Sequence, residues 1–422
     1  MTAGEGSPEE TPELLGEVLR EQRSAEGGGL LKRLLGLAVL LAAVWLISRN
    51  IGWGDQVWLE PPAGGQGATV IVEGTLEGDW RARPAALEVS DPGGLDGVAA
   101  GDRVWISEQE VRVADGPVVA SAAGGEGLKV ELVDLRPGLG TTLRRVRPAL
   151  LALAVGLLFL ASLTVATRWW RLLQVHDCPT PWRSAVRFTY AGLFFNLVLP
   201  GFNGGDVARA VAVVRRHPDR RPEALMSVVV DRVLGLVSMV LIGATFILLS
   251  DERAADLKVP VTVAAAGLLV GGAVFCSHRV RALLRVEALL GRLPMGERLQ
   301  RLDRSARLVA ARPRELVGAL VLSSMNHLLT GAAVTCVALS LGSQLGFGEW
   351  MSTTAIANTI SGLPISPGGL GVGEHLFGAL AALFGSTYAM GVATSLLFRV
   401  GLYTLSLAGG VVMLFPEAER AG

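Results

Sequence analysis

Six ionisable residues stand inside or at the rim of strongly apolar sequence: Asp206, Arg209, Asp231, Arg232, Glu374 and Arg399. Asp206 and Arg209 are three residues apart, a spacing that puts both on one helix face. Asp231 and Arg232 lie between Met226-Ser-Val-Val-Val230 and Val233-Leu-Gly-Leu-Val237, and Arg399 interrupts the apolar run 387–413. An ionised group near a bilayer centre costs roughly 2.5–3.5 kcal/mol, so these must pair, reach water, or both. The simplest pairing joins Asp206 to Arg209, Asp231 to Arg232 and Glu374 to Arg399. Buried pairs add little net stability over apolar replacements, so their retention points to binding. Arginine forks hold phosphate bidentately, and carboxylates hold a cationic group or a proton.

Two Pro/Gly runs must position these groups. Pro200-Gly201-Phe202-Asn203-Gly204-Gly205-Asp206 and Pro367-Gly368-Gly369-Leu370-Gly371-Val372-Gly373-Glu374 read as distorted copies, each ending in a carboxylate. Backbone without helical hydrogen bonds is tolerated at membrane depth only where it is buried in protein or lines a wet cavity. Matching breaks in two halves of a membrane protein point to a substrate site at a repeat interface. Gly204, Gly205, Gly368 and Gly369 complete the candidate substrate-binding set, because glycine turns leading into helices offer N–H groups to an anion.

The composition sets the class. Half of the 422 residues are apolar, 18% are charged and 53 are glycine, with mean hydropathy +0.46, as in an integral membrane protein. Zero formal net charge argues against nucleic acid as a partner. Cys178, Cys276 and Cys336 are scattered, and the five histidines show no metal-binding spacing. Neither a Ser or Cys nucleophile with a nearby His nor a phosphate loop is present, so no catalytic residue, metal or cofactor is expected.

Along the chain, residues 1–29 are Gly/Glu/Ser-rich and read as a disordered cytoplasmic tail. Residues 30–49 read as a transmembrane helix, a retained signal anchor behind Lys32 and Arg33. From 50 to 146, period-2 fragments such as Ala68–Val72 and Leu128–Leu132 between Gly turns predict a small extracytoplasmic all-β module. It is a possible docking point for an envelope partner. Residues 147–277 form a first membrane half with a re-entrant hairpin near 188–212, and 315–414 a second with a hairpin near 350–385. Between them, 278–314 carries ten arginines against three acids and predicts a cytoplasmic stretch with an amphipathic surface helix through Val280, Leu283, Leu284, Leu289 and Leu290. Residues 415–422 form a cytoplasmic tail.

Arginines flank the first break on both sides (Arg168, Arg171, Arg183 and Arg187 before; Arg209, Arg215, Arg216, Arg220 and Arg221 after). Both flanks are therefore cytoplasmic by the positive-inside rule, and the segment enters and returns. The second break has few basic flanks and dips in from outside. The expected fold is an all-α polytopic membrane protein with inverted repeats (helix, re-entrant hairpin, helix) plus the β-module, both termini cytoplasmic. Trp169, Trp170 and Trp182 are expected as aromatic anchors at the cytoplasmic interface.

As a set, these residues resemble the lysylphosphatidylglycerol synthase transmembrane-region family, also described as flippase-like. The resemblance rests on Arg168-Trp169-Trp170, Phe194-Phe195-Asn196 through Pro200, Gly204-Gly205-Asp206-x-x-Arg209, Asp231-Arg232-x-x-Gly235, and Leu363-Pro364-x-x-Pro367-Gly368-Gly369-x-Gly371-x-x-Glu374, and covers about 148–414. It implies a multi-pass cell inner-membrane protein that moves or displays lipids, with a lipid headgroup as partner. In bifunctional members a soluble aminoacyl-transferase domain follows. None follows Gly422 in this sequence, so lipid aminoacylation is not expected. The leading expectation is a flippase or transporter of a phospholipid or polyisoprenoid-phosphate-linked lipid. The alternative is a membrane enzyme or accessory subunit acting on a lipid-phosphate-linked sugar or aminoacyl lipid. A third possibility is a scaffold presenting the β-module.

Overall fold

The computed structural model describes residues 54–60, 69–77, 84–107, 110–121, 128–129, 132–144, 146–198, 204–250, 252–283, 285–286, 296–362, 366 and 369–414. The expected tails and the helix at 30–49 lie outside the described residues.

The N-terminal module is one eight-stranded sheet: β1 (Asp55–Glu60), β2 (Val70–Glu77), β3 (Ala85–Asp91), β4 (Arg103–Ile106), β5 (Glu110–Val113), β6 (Val118–Ser121), β7 (Leu128–Lys129) and β8 (Leu132–Arg136). Its order is β7-β6-β5-β4-β3-β2-β1-β8, antiparallel except for β6–β7, and it forms a half-barrel. Alternation follows the pleat: in β2, Val72 and Leu76 face in while Glu73 and Thr75 face out. The inward set, with Val57, Leu87, Val104 and Ile106, makes one core. The fragment Leu128–Leu132, read as one strand, departs from that expectation. Its ends fall in β7 and β8, on opposite edges of the sheet.

Twelve helices follow among the described residues: α1 (Leu139–Arg144), α2 (Pro148–Val175), α3 (Trp182–Val198), α4 (Gly204–Arg216), α5 (Arg221–Leu248), α6 (Ala255–Cys276), α7 (His278–Leu283), α8 (Gly296–Ala310), α9 (Pro313–Leu341), α10 (Phe347–Ser361), α11 (Val372–Leu383) and α12 (Tyr388–Leu414). Five of the resulting helical segments are long and apolar enough to cross a membrane: 148–175, 218–248, 252–275, 313–341 and 388–411. Proline begins α2 and α9, where its missing N–H costs nothing. Apolar side chains such as Val263 and Leu269 on α6 point outward, as a hydrocarbon solvent permits.

The packing has a repeating plan. α2 lies against α9; α3 packs on α12 as α10 packs on α5; α4 contacts α3 and α5 as α11 contacts α10 and α12. The main core gathers Trp350, Phe377, Phe384, Phe398 and Leu341. In the arginine-rich stretch the amphipathic element is α8, whose Val309 is buried against Leu172, Val175 and Val230. Val280 and Leu283 are exposed on α7, and Leu284, Leu289 and Leu290 lie outside the described residues.

Candidate functional site

Two charged centres form where the short helices after the breaks meet long helices. The first is built on α4 and α5. Asp231 is 1% exposed. It accepts from Arg168 Nε at 2.7 Å and from Arg209 Nη2 at 3.2 Å. Arg168 also donates to Ser323 Oγ on α9 at 2.5 Å. Arg209 reaches Asp206 at 3.7 Å, and its guanidinium lies 4.1 Å from the Trp169 ring centroid, within cation–π range. Arg232, half-exposed, pairs with the other oxygen of Asp206. Three arginines thus share two carboxylates.

Local sequence makes room for this. A Cβ on Gly235 would stand 3.2 Å from Arg168 Nη1. A Cβ on Gly205 would meet the Gly192 carbonyl at 2.2 Å, so only glycine lets α4 close on α3. The Gly205 N–H donates to Asn196 Oδ1 at 2.7 Å, satisfying one of the free donors at the start of α4. His327 Nε2 lies 2.9 Å from the Gly235 carbonyl.

The second centre joins α11 and α12. Glu374, 5% exposed, pairs with Arg399 and accepts from the Gly371 N–H at 2.7 Å, a favourable place for an anion at a helix N-terminus. Arg399 Nη2 donates to the Gly369 carbonyl at 2.9 Å. Gly369 and Gly371 have φ of +67° and +79°, left-handed values that glycine adopts without strain. A cavity of about 300 Å³ opens beside this centre, with Asn358, Ser361, Gly373, Phe377, Phe398 and Arg399 in its wall.

The two centres share a frame. Asp206 is the third residue of α4 and Glu374 the third of α11. Their partners Arg232 and Arg399 are each the twelfth residue of the following long helix.

Of the ten candidate residues, the structure gathers Asp206, Arg209, Asp231 and Arg232 beside Gly204 and Gly205, and Glu374 and Arg399 beside Gly369. Gly368 lies outside the described residues. The expected Glu374–Arg399 pair is present, and Asp206 and Arg209 are in contact. Asp231 and Arg232, adjacent in sequence, do not pair: one turns inward to Arg168 and Arg209, the other outward to Asp206. Arg168 and Trp169, expected as an interfacial flank, are 5% and 0% exposed and belong to the first centre. The signal was available: the apolar pattern continues through Leu172, Leu173 and Val175, so the helix does not end at Arg168. Ser323 carried no comparable signal.

Residues 135–410, which contain both centres and all the helices described above except the last turn of α12, match the family model described as the lysylphosphatidylglycerol synthase TM region. No curated protein matches the chain significantly.

Proposed function

The chain belongs to the lysylphosphatidylglycerol synthase transmembrane-region family, and on that premise we propose that it is an inner-membrane lipid flippase or transporter. Family membership makes it a multi-pass membrane protein connected with lipid synthesis or transport. The finer reading rests on one observation: both short helices begin beside an arginine in the middle of a long one. Arg232 and Arg399 lie ~17 Å along helices ~40 Å long, at 1.5 Å per residue. Pairing with them holds the starts of α4 and α11 near mid-span, while α3, α4, α10 and α11, at ~18–26 Å, are each shorter than the ~30 Å hydrocarbon core. Chain that goes to mid-depth, breaks and returns is a re-entrant hairpin, and two such units with matching helix contacts are an inverted repeat in our reading. Sites of alternating-access transporters lie at this depth, where one repeat rocks against the other.

In this mechanism the carboxylates hold the arginines in place and the arginines meet the lipid phosphate. The test is translocation of a fluorescent phospholipid by purified protein in vesicles without any soluble donor. Activity that appears only with a soluble donor would favour the enzyme alternative.

A further inference from the structure

One long helix is left almost bare. Only 6% of the apolar window that contains α6 is buried, against 28–56% in the four other segments long enough to cross. Among the described helices α6 packs along one long neighbour, α5. Val261, Ala265 and Leu268 form its less exposed stripe. A second stripe, Asp256, Pro260, Ala264, Gly267 and Gly271, is exposed throughout, and its three- and four-residue steps put it on one face. A Cβ on Gly267 or Gly271 would meet nothing within 4 Å. Hydrocarbon accounts for the exposure of this face, but the chain itself brings a candidate occupant beside it.

That occupant is the apolar segment 30–49. Arg49 is six residues before Asp55, so the segment ends within ~20 Å of it. Asp55 is bonded to Gly138 and Thr141 at the start of α1, and Leu139 of α1 packs on Ala389 and Val392 near the start of α12. The Phe384 carbonyl, just before α12, accepts from Arg253 Nη1 at 2.9 Å, just before α6. Asp55 and the first turn of α6 are therefore neighbours of the same helix end, on the β-module's side. The segment runs toward that side and α6 runs away from it, as an antiparallel pair requires.

We propose that residues 30–49 form a transmembrane helix docked on the open face of α6. In that segment Ala38, Ala42, Trp45 and Arg49 also recur in three- and four-residue steps. Counted as helix from the β-module's side, Trp45, Ala42 and Ala38 lie ~6, ~10.5 and ~16.5 Å below Arg49. Pro260, Ala264 and Gly267 lie ~6, ~12 and ~16.5 Å below Asp256. The two faces thus match in depth. Arg49 meets Asp256, Trp45 lies over Pro260, and Ala38 meets Gly267, where small residues let the backbones approach closely. The opposite ends are both basic, with Lys32 and Arg33 against Arg279 and Arg281, so the outer pair sets the register. A six-residue tether gives the chain's own segment an effective concentration of roughly millimolar, ahead of a second copy. Docking anchors the β-module from both its ends, through this helix before it and α1 after it. It does not depend on what the chain transports.

The experiment oxidises cysteine pairs in the full chain in membranes and reads linked peptides by mass spectrometry, with the parent chain and its native cysteines as background. Arg49→Cys with Asp256→Cys, and Ala38→Cys with Gly267→Cys, should link within one chain at about tenfold the background or more, because a disulfide needs Cα atoms within ~7 Å. Ala38→Cys with Ala265→Cys, at similar depth on the other stripe, should stay at background. Gly267→Leu should lower the 49–256 link severalfold without loss of insertion, because its side chain enters space open among the described residues. Links to a cysteine at exposed Leu160 of α2 in place of 267, links between two copies of the chain, or background yield at both pairs would overturn the proposal. An unchanged 49–256 link in Gly267→Leu would also overturn it.

Discussion

Asp206 and Glu374 occupy the same position in two different helices, the third residue of the short helix that follows a Pro/Gly break, and each grips an arginine at the middle of the next long helix. The carboxylate thereby fixes both the start of the short helix and the direction of the guanidinium.

The pairs in the first centre differ in what their loss does. Asp231→Asn leaves buried Arg168 with no carboxylate, only Ser323, and buried Arg209 with only the longer contact to Asp206, and should destabilise by about 3–5 kcal/mol, seen as poor yield and a lowered melting temperature in detergent. Asp206→Asn with Arg232→Gln strands nothing buried, because Arg209 keeps Asp231. That double variant should fold and lose lipid movement. Full transport by it would reduce the Asp206–Arg232 pair to a helix pin.

If α3 and α4 form the proposed re-entrant hairpin, their outer ends face the same side of the membrane. Single cysteines at Arg183 and Arg216, either side of α3 and α4, should react with an impermeant thiol reagent from the cytoplasmic face. A cysteine at the exposed turn residue Asp115 of the β-module should react from the opposite face. Labelling of positions 183 and 216 from opposite faces would make α3 and α4 together a single crossing.

The β-module is joined to the helices by a defined latch. Asp55, 3% exposed, accepts from the Leu76 N–H at 2.6 Å, the Gly138 N–H at 2.7 Å and Thr141 Oγ1 at 2.8 Å. Leu139 of α1 packs on Ala389 and Val392 of α12. Asp55→Ala leaves two buried N–H groups unsatisfied, at about 1–3 kcal/mol each, and should speed proteolysis around Gly138 with the membrane helices intact. Removing residues 56–136 while keeping α1 should still give an inserted protein, whereas its degradation would make the module part of the membrane fold.

Acidification should destabilise the loops around α3 and α4. Burial lowers the His176 pKa, with Arg312 adding to the effect. Burial also lowers that of His217, with Arg216 and Arg220 adding to it. A histidine whose folded pKa lies below its unfolded value of about 6.5 binds more protons when unfolded. The stability it contributes is present above that value and lost as pH falls through it. The melting temperature should therefore drop between about pH 7.5 and 5.5, and less steeply in His176→Gln. Equal slopes would remove His176 from the account.

How much of this was legible in the sequence depends on what carried the signal. Hydropathy gave the long helices because twenty apolar residues in a row have few other solutions. The Pro/Gly runs gave the breaks, and the distance from break to carboxylate gave Asp206 and Glu374. Pairing was less legible. Asp231 and Arg232 are neighbours in sequence, yet consecutive helix residues point about 100° apart, so they found partners on different helices. By type alone Arg168 reads as a flank, because arginines usually end spans, and only the leucines beyond it, Leu172 and Leu173, carry the helix on past it. The cavity depends on Gly373, Ser361 and Arg399 converging from three helices, which no spacing reports. In the sheet, β7 and β8 were merged because alternation does not say which edge a strand joins.

The central claim is that this chain moves a phospholipid through the charged centres at its two breaks. Vesicles carrying a fluorescent phospholipid in both leaflets, reconstituted with purified protein and exposed to an impermeant quencher, test it most directly. The account predicts that wild-type protein exposes the inner-leaflet pool with no donor or nucleotide required by the quenching step, and that the folded Glu374→Gln/Arg399→Gln variant leaves that pool protected. Inner-leaflet lipid that stays protected with wild-type protein, or is exposed equally by both proteins, would contradict it.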